Sequence, residues 1–473
     1  MTTLEDLRAR HGENYKWLVL VAVMVGTMAS FMTSTIVNVA SPDMSAHFGV
    51  TQERAQWISA AFMIAMTPAL SVTPWLLARF GLRRTYIGAN LLLMTGGIVG
   101  GLSQDYNLLI AMRAVEGIAA GILQPIPAIV IMRGFAPGEQ GRAMGVFGLG
   151  VVLAPATGPA LGGFLVDHFG WRSIFFVVVP FCIAAIVLTR LYLPRVSAFL
   201  QAKKPLDWLG LAWISAASIC LLNGLTGLSR DDTSVAWMLI GVGVAGLATF
   251  APYQLRKTEP LLQMRLFHHR PFSMGATVQF IYGFSIFGST YLLPVFLQMA
   301  LGYSPSQAGL VMLPAGLALA VTMPFAGRMA DRLPAAPLVV TGVVMLAASL
   351  ALTATITAAT AYALVIVWTM IGRIGLGVIH PALSLGAVSG LAPAELPQAL
   401  SMSNFVRQLG GSFGISVTGV LLDWRLTANA GQAQPAFEET FLILAVVSLG
   451  AAVAGWFIAS PPAPSPAVPP PGR

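Results

Sequence analysis

The sequence predicts an all-α integral membrane protein with fourteen transmembrane helices, and three observations predict it. Lys, Arg, Asp and Glu together make up only 9% of the 473 residues, against about 25% in a soluble globular domain. The apolar share is 56% and the mean hydropathy is +0.78, so the chain lacks the polar surface needed to live in water. Apolar stretches near 20 residues recur from end to end, each long enough to cross a ~30 Å hydrocarbon core as a helix. Intrinsic disorder, a secreted disulfide scaffold and an ordinary cytosolic enzyme are excluded at this step.

In chain order the spans are expected at 17–40, 56–78, 85–103, 107–132, 143–166, 173–193, 208–228, 235–254, 273–299, 307–329, 336–357, 361–388, 401–422 and 438–459. The first is no removable leader, because its apolar run exceeds the ~7–15 residues of a signal core and thirteen more follow. The seventh and eighth are parted by a short turn that carries Arg230, Asp231 and Asp232, charges that belong at a membrane surface. The stretch 255–272, with Arg256, Lys257, Arg265, His268, His269 and Arg270, reads as a cytoplasmic loop with a short surface helix. Its His pair lacks a Cys or carboxylate at ligand spacing, so no metal is expected. From Ser460 the chain is Pro-rich, the composition of a disordered tail. Cys182 and Cys220 each lie in an apolar run and cannot build a disulfide framework.

Orientation follows from loop charge. One set of loops holds nineteen Lys and Arg, the alternate set four. Basic loops stay in the cytoplasm, which puts both termini there. The formal charge of +8 is therefore a topology signal, and nucleic acid is not an expected partner.

The chain also repeats itself. Arg332 follows Arg79 by 253 residues, each opening a basic turn after a span. Arg113, Gly117 and Gly121 sit four residues apart, and Arg373, Gly377 and Pro381 repeat that spacing 260 residues on. The reading is an N-terminal segment 1–16, a six-helix bundle 17–193, a linker 194–272 with two additional spans, a second six-helix bundle 273–459 and a tail 460–473. Duplicated halves of this kind place a transport site at their interface.

A charge inside a span costs roughly 2.5–3.5 kcal/mol on insertion scales, so such residues are candidates for function. Arg113 and Glu116, three apart on the fourth span, share a helix face and can pair. Glu116 is the one carboxylate well inside a span. Burial favours its neutral form and Arg113 its charged form, so the pair serves either proton coupling or permanent helix packing. Arg373, His380 and Arg407 are the other in-span basic groups. They could line a cavity or bond to helix ends. Thr33, Asn38, Gln124, Gln279, Tyr282 and Tyr291 would add polar fixes to a chamber that binds by area. On the fifth span Ala154, Gly158 and Gly162 leave one face nearly bare, with Pro155 and Pro159 inviting a bend. Static packing and a pivot use the same design. No phosphate-binding loop occurs, so an ion or substrate gradient must drive transport.

These stretches resemble the major facilitator superfamily, and within it the fourteen-span drug/proton antiporters. "TIVNVASP" ends the first span and "RAVEGIAAGILQP" matches the fourth-span pattern. "APATGPALGG" matches the fifth-span antiporter motif at Gly158, Pro159, Gly162 and Gly163, and "HFGWRSIFFVVVP" the Trp-Arg signature after it. The resemblance implies two bundles rocking about a central cavity, proton coupling through Arg113, and a gate around Arg79, Gly81, Arg83 and Arg84 with its second copy at Asp331 and Arg332. Three departures stand out: Thr33 where the family's first span carries Asp, Ala78 where its loop motif carries Asp, and Glu116 where Gln is usual. Together these predict a non-enzymatic secondary transporter in a bacterial inner membrane. It would export amphipathic drugs against a proton gradient, with no cofactor, a small-molecule substrate and the lipid bilayer as partners, and a monomeric state. An anionic metabolite, peptide-like compound or lipid is the alternative cargo, and a non-transporting receptor or scaffold a remote one.

Overall fold

A computed structural model describes residues 12–50, 52–55, 57–194, 205–228 and 233–458, with the side chains of 42, 52, 53, 155, 156, 159, 160, 226, 305 and 306 outside the description. The expected Arg230–Asp232 turn and Pro-rich tail therefore lie outside the described residues. Every regular element among the described residues is helical. Among the described residues twelve helical segments are long and apolar enough to cross a membrane.

The helices follow the apolar runs with two informative differences. The second and third expected spans form one element, Trp57–Leu102, interrupted at Gly81 by φ 77° and ψ 166°, a conformation open to glycine at no steric cost. The two arms fold back on each other. Gly117 lies against the backbone of Phe62, while Gly96 lies against the side chain of Glu116, the neighbour of Gly117. Residues 62 and 96 thus sit at the same height on one helix. The fourth run divides at Pro125 into Tyr106–Leu123 and Ile126–Gly134. Asp105 opens it by accepting the Leu108 N–H at 2.8 Å, the usual N-cap bond. In contrast, Gln140–Phe169 runs without interruption through Pro155 and Pro159. Its Gly158 meets Thr35 and its Gly162 meets Ile36 of the first span, so the bare face is a close helix crossing. In the 255–272 loop the short surface helix is the 3₁₀ turn Met264–His268.

Two apolar cores organise the molecule. One gathers residues from Leu20 to Leu193, the other residues from Val278 to Ile458. The first also takes in Phe272, Ala276, Val388, Leu396 and Phe405, so the halves share a core on the side of the Arg-rich loops. There the Gly141 and Arg142 N–H groups donate to Asp331 at 2.5 and 2.7 Å. Arg133 donates to the Pro393 carbonyl at 2.6 and 3.1 Å. A further contact between the halves joins Gln408 Nε2 to Met63 Sδ at 3.8 Å.

The additional helices, Trp208–Gly227 and Ser234–Arg256, are tied at one end by Asp207. Its carboxylate accepts from Gly210 N–H, Tyr253 Oη and Lys257 Nζ at 3.0 Å each and from Gln254 Nε2 at 2.9 Å. Burial pushes the Asp207 carboxyl up, but the donors outweigh it and hold it below the ordinary value. Cys182 is buried, Cys220 partly so, and both are free thiols.

Candidate substrate and coupling site

Arg113 and Glu116 are both fully buried. The helix carrying them presents Arg113 to the first two spans, and its guanidinium makes four contacts at once. Nη1 donates to Glu116 Oε2, Nε to the Ile58 carbonyl at 3.0 Å and Nη2 to the Thr33 carbonyl at 3.4 Å. The Phe62 ring lies 4.6 Å from its centre, a cation–π contact. One side chain therefore pins three spans together. Glu116 leans the other way, against Gly96 and Gly97 of the third span, and its Oε1 has no hydrogen-bond partner. Those two glycines supply the room a carboxylate needs inside a close helix crossing.

The other candidates divide by location. Thr33 and Gln124 are buried, at 5% exposure each, and Gln124 Nε2 contacts Met66 Sδ at 3.0 Å, so neither faces an open chamber in this conformation. Asn38 is exposed and accepts from Ser59 at 2.7 Å. Gln279 and Tyr282 are buried, with Tyr282 tilted against His380 at 5.9 Å. Arg373 donates to Thr290 Oγ1 and Arg407 to Asn404 Oδ1, both at 3.0 Å. Tyr291 is 38% exposed. Tyr282, His380, Arg373 and Arg407 belong to the second half, and Arg113 and Glu116 to the first. A small cavity of about 30 Å³ lies beside Arg373, between Ser289, Ser349 and Leu376.

Around the loop motif, Gly81 makes the fold-back and Arg83 donates to the carbonyls of Leu193 and Arg190 at 3.1 and 3.2 Å. Arg79, Arg84 and Arg332 are exposed. Asp331 has its partners, Gly141 and Arg142, in the other half, and burial lifts its carboxyl above the ordinary value against the pull of the two N–H donors. Gly163 has only Val39 nearby. No cluster of metal-ligating side chains occurs among the described residues.

Matching these features to known proteins decides the family. The sequence pattern of the Major Facilitator Superfamily matches residues 23–414 and 275–473. The chain belongs to the Major Facilitator Superfamily. A multidrug resistance protein B homolog of Mycobacterium tuberculosis is 33% identical over 411 residues, covering 86% of this chain and 76% of the relative. The tetracenomycin C resistance and export protein of Streptomyces glaucescens is 31% identical over 421 residues, covering 87% and 76%. The solved proton:xylose symporter XylE shares the fold with a TM-score of 0.67 at 15% identity, over 94% of this chain and 96% of that one. The resemblance read from the motifs is borne out, and this superfamily member is a transporter whose relatives include multidrug exporters.

Sequence reasoning missed the Ile58 and Thr33 carbonyls, the Phe62 ring and the Asn404 and Thr290 partners. Backbone carbonyls leave no residue-type signal. Asn404 was readable three residues before Arg407.

Proposed function

We propose that this transporter exports amphipathic small molecules in exchange for protons by alternating access, with Glu116 as the proton carrier. The observation that carries the reading is the buried carboxylate with one oxygen bound by Arg113 and the other unpartnered. A proton can be added at Oε1 without breaking an existing hydrogen bond. Doing so removes the counter-charge of Arg113, whose remaining bonds hold the Thr33 and Ile58 carbonyls. Breaking one side of a buried pair costs about 3–5 kcal/mol, enough to change how the first, second and fourth spans are held. One proton crossing 100 mV supplies about 2.3 kcal/mol, so relaxation and substrate binding must contribute as well.

Fourteen crossings complete the proposal. The 46 residues of Trp57–Leu102 would stretch about 69 Å if straight and fold back at Gly81, so they count twice. Gln140–Phe169, at 30 residues, adds one more to the twelve segments. With both termini cytoplasmic, the state seen is closed on the cytoplasmic side. Two six-helix bundles at 17–193 and 273–459, a monomeric assembly and a bacterial inner membrane belong to the same reading, the last of them supported by the bacterial source of the relatives.

The test is pH change inside proteoliposomes on addition of an amphipathic dye. Glu116→Gln is expected to abolish the dye-linked proton flux while dye binding persists. Unchanged flux in that variant overturns the assignment.

A further inference from the structure

The additional helix pair sits where the two halves meet. Trp208–Gly227 packs on Trp57–Leu102 of the first half and on Leu396–Ala428 of the second, and Ser234–Arg256 packs on it in turn. The two elements beneath it also touch each other, through Met63 and Gln408. Trp208–Gly227 therefore lies along the joint between the halves. On the side of the Arg-rich loops the chain that follows the pair returns to this joint. Leu261 and Leu262 are buried there, at 4% and 0% exposure, in the core that the halves share. The Leu262 N–H donates to Gln254 at 3.3 Å, and Gln254 donates to Asp207, which ties the segment to the pair. The turn Met264–His268 then packs on both Ser234–Arg256 and Arg270–Met299.

We propose that residues 258–268, anchored by the additional helix pair, are a strap across the halves that holds this side shut and lifts off the first half when it opens. The proposal rests on the alternating-access reading above and adds a part to it. A body that touches both sides of a moving joint has to release one of them. The strap runs straight into Arg270–Met299, and His269 lies against Gly390 of the second half. The contact released is therefore the one with the first half.

The packing at this contact suits one that is made and broken. A single cavity of about 190 Å³ has all three parts in its wall, Trp75 and Ala78 of the first half, Leu206 and Leu261 of the linker, and Pro397 and Gln398 of the second half. Protein interiors are ordinarily filled to the density of organic crystals, and a void forfeits dispersion contacts along its lining. Less attraction is lost when such a surface parts. Gln263 and Gln398 line the same cavity, and each leaves its side-chain oxygen without a hydrogen-bond partner. Water reaching those oxygens on opening offsets part of the cost of exposing Leu261. The anchor is built the other way. Asp207 holds four donors, from Gly210, Tyr253, Gln254 and Lys257, so the pair stays whole while the strap lifts.

Hydrogen exchange on the full-length protein tests the strap. The N–H groups of Gly141 and Arg142 are bonded to Asp331 across the halves, so their exchange with deuterium reports parting on this side. Leu261→Ala should speed exchange of the peptide that carries them about fivefold, while Tyr106–Leu123, inside the first half, keeps the parent rate. The opposite change comes from a bridge. Ala78→Cys and Leu261→Cys, in a chain with Cys182→Ala and Cys220→Ala, are joined by a bismaleimide with a disulfide spacer. The bridge should slow the same exchange tenfold or more and stop dye export from proteoliposomes, and reducing the spacer should restore both. Exchange unmoved by the bridge overturns the strap, and so does a cysteine pair that fails to cross-link. Export at the parent rate in the bridged protein overturns the strap and leaves the transporter reading standing. A bridge that slows exchange in a protein whose unbridged form exports no dye supports the strap and counts against the transporter reading.

Discussion

Asp331 of the second half accepts hydrogen bonds from Gly141 and Arg142 of the first, at 2.5 and 2.7 Å. A carboxylate in this position does two things at once. It satisfies N–H groups that a helix start leaves without partners, and it meets the positive end of the helix dipole. Gly141 is needed there because a methyl group would collide with the Gly327 carbonyl and with Asp331 itself. The contact therefore reads as a latch between the halves on the side of the basic loops.

Asp331→Ala tests the latch. Loss of an N-terminal cap costs about 1 kcal/mol, so the population open on that side should rise roughly fivefold, read by labelling of a cysteine placed at Met323, a buried residue packed on Gly145 and Gly148 of the first half. Burial also raises the Asp331 carboxyl when the latch is shut. The shut form thus binds a proton more tightly than the parted form, and acidification through the window above the ordinary carboxylate value should favour closure. Opening on acidification would contradict the linkage.

Gly117 packs on the Phe62 backbone so closely that a Cβ would overlap the carbonyl, whereas Gly450 has nothing within 4 Å. Gly117→Ala should destabilise the protein by about 1–3 kcal/mol, the ordinary cost of overpacking, and lower its melting temperature in detergent. Gly450→Ala should leave it unchanged or raise it slightly, since Ala is the better helix former by up to about 1 kcal/mol. Equal melting of the two variants would remove the case for the close crossing.

Much of this fold was legible because a ~20-residue apolar run is a demand of the bilayer and needs no tertiary context. What escaped are features set by local backbone chemistry. Ser304 and Gln307 form a reciprocal capping box, which starts the Pro305–Ala330 helix two residues before the apolar run. Leu396–Ala428 likewise begins at Leu396, with Pro397 in its first turn, while the apolar pattern pointed to 401. Within the site, the Arg113–Glu116 pair followed from its spacing of three. The Asp331 partners did not, because backbone N–H groups 190 residues away carry no side-chain signature. Asp207 was visible in principle, an N-cap residue immediately before an apolar run, but its donors from the next helix were not.

Asp207 makes the pH dependence of the additional helix pair predictable. Its carboxyl is held below the ordinary value of 3.8, so the folded protein gains stability from it above that value. The gain is lost as pH falls through the depressed folded value. Trp213 stacks on Tyr253 at 5.3 Å, beside the hydrogen bond from Tyr253 to Asp207, and its fluorescence should report loosening of the pair in the acid range below 3.8. Asp207→Asn should weaken the same docking at neutral pH. A Trp213 signal that is flat with pH and unaltered by the substitution would show that the cluster does not hold the pair.

The loop motif of the first half lacks its counterpart to Asp331. Counting back 253 residues from Asp331 gives Ala78. Ala78 lines a cavity of about 190 Å³ together with Pro397 and Gln398, the first turn of the Leu396–Ala428 helix. That space accommodates a carboxylate and presents a helix start to it, so Ala78→Asp should build a second latch. Arg133 lines the same cavity and favours the new charge, while Glu259 and Asp207, which line it too, oppose it. The helix-end contribution, about 0.3–1 kcal/mol for a surface site, sets the scale of the gain. The expected result is a melting temperature at or above that of the parent, slower dye export, and weaker labelling of a cysteine at Met323, the reverse of Asp331→Ala. Combining the two substitutions should return the labelling toward the parent level. Export as fast as the parent with unchanged labelling would mean that the Leu396–Ala428 helix start does not govern opening on this side.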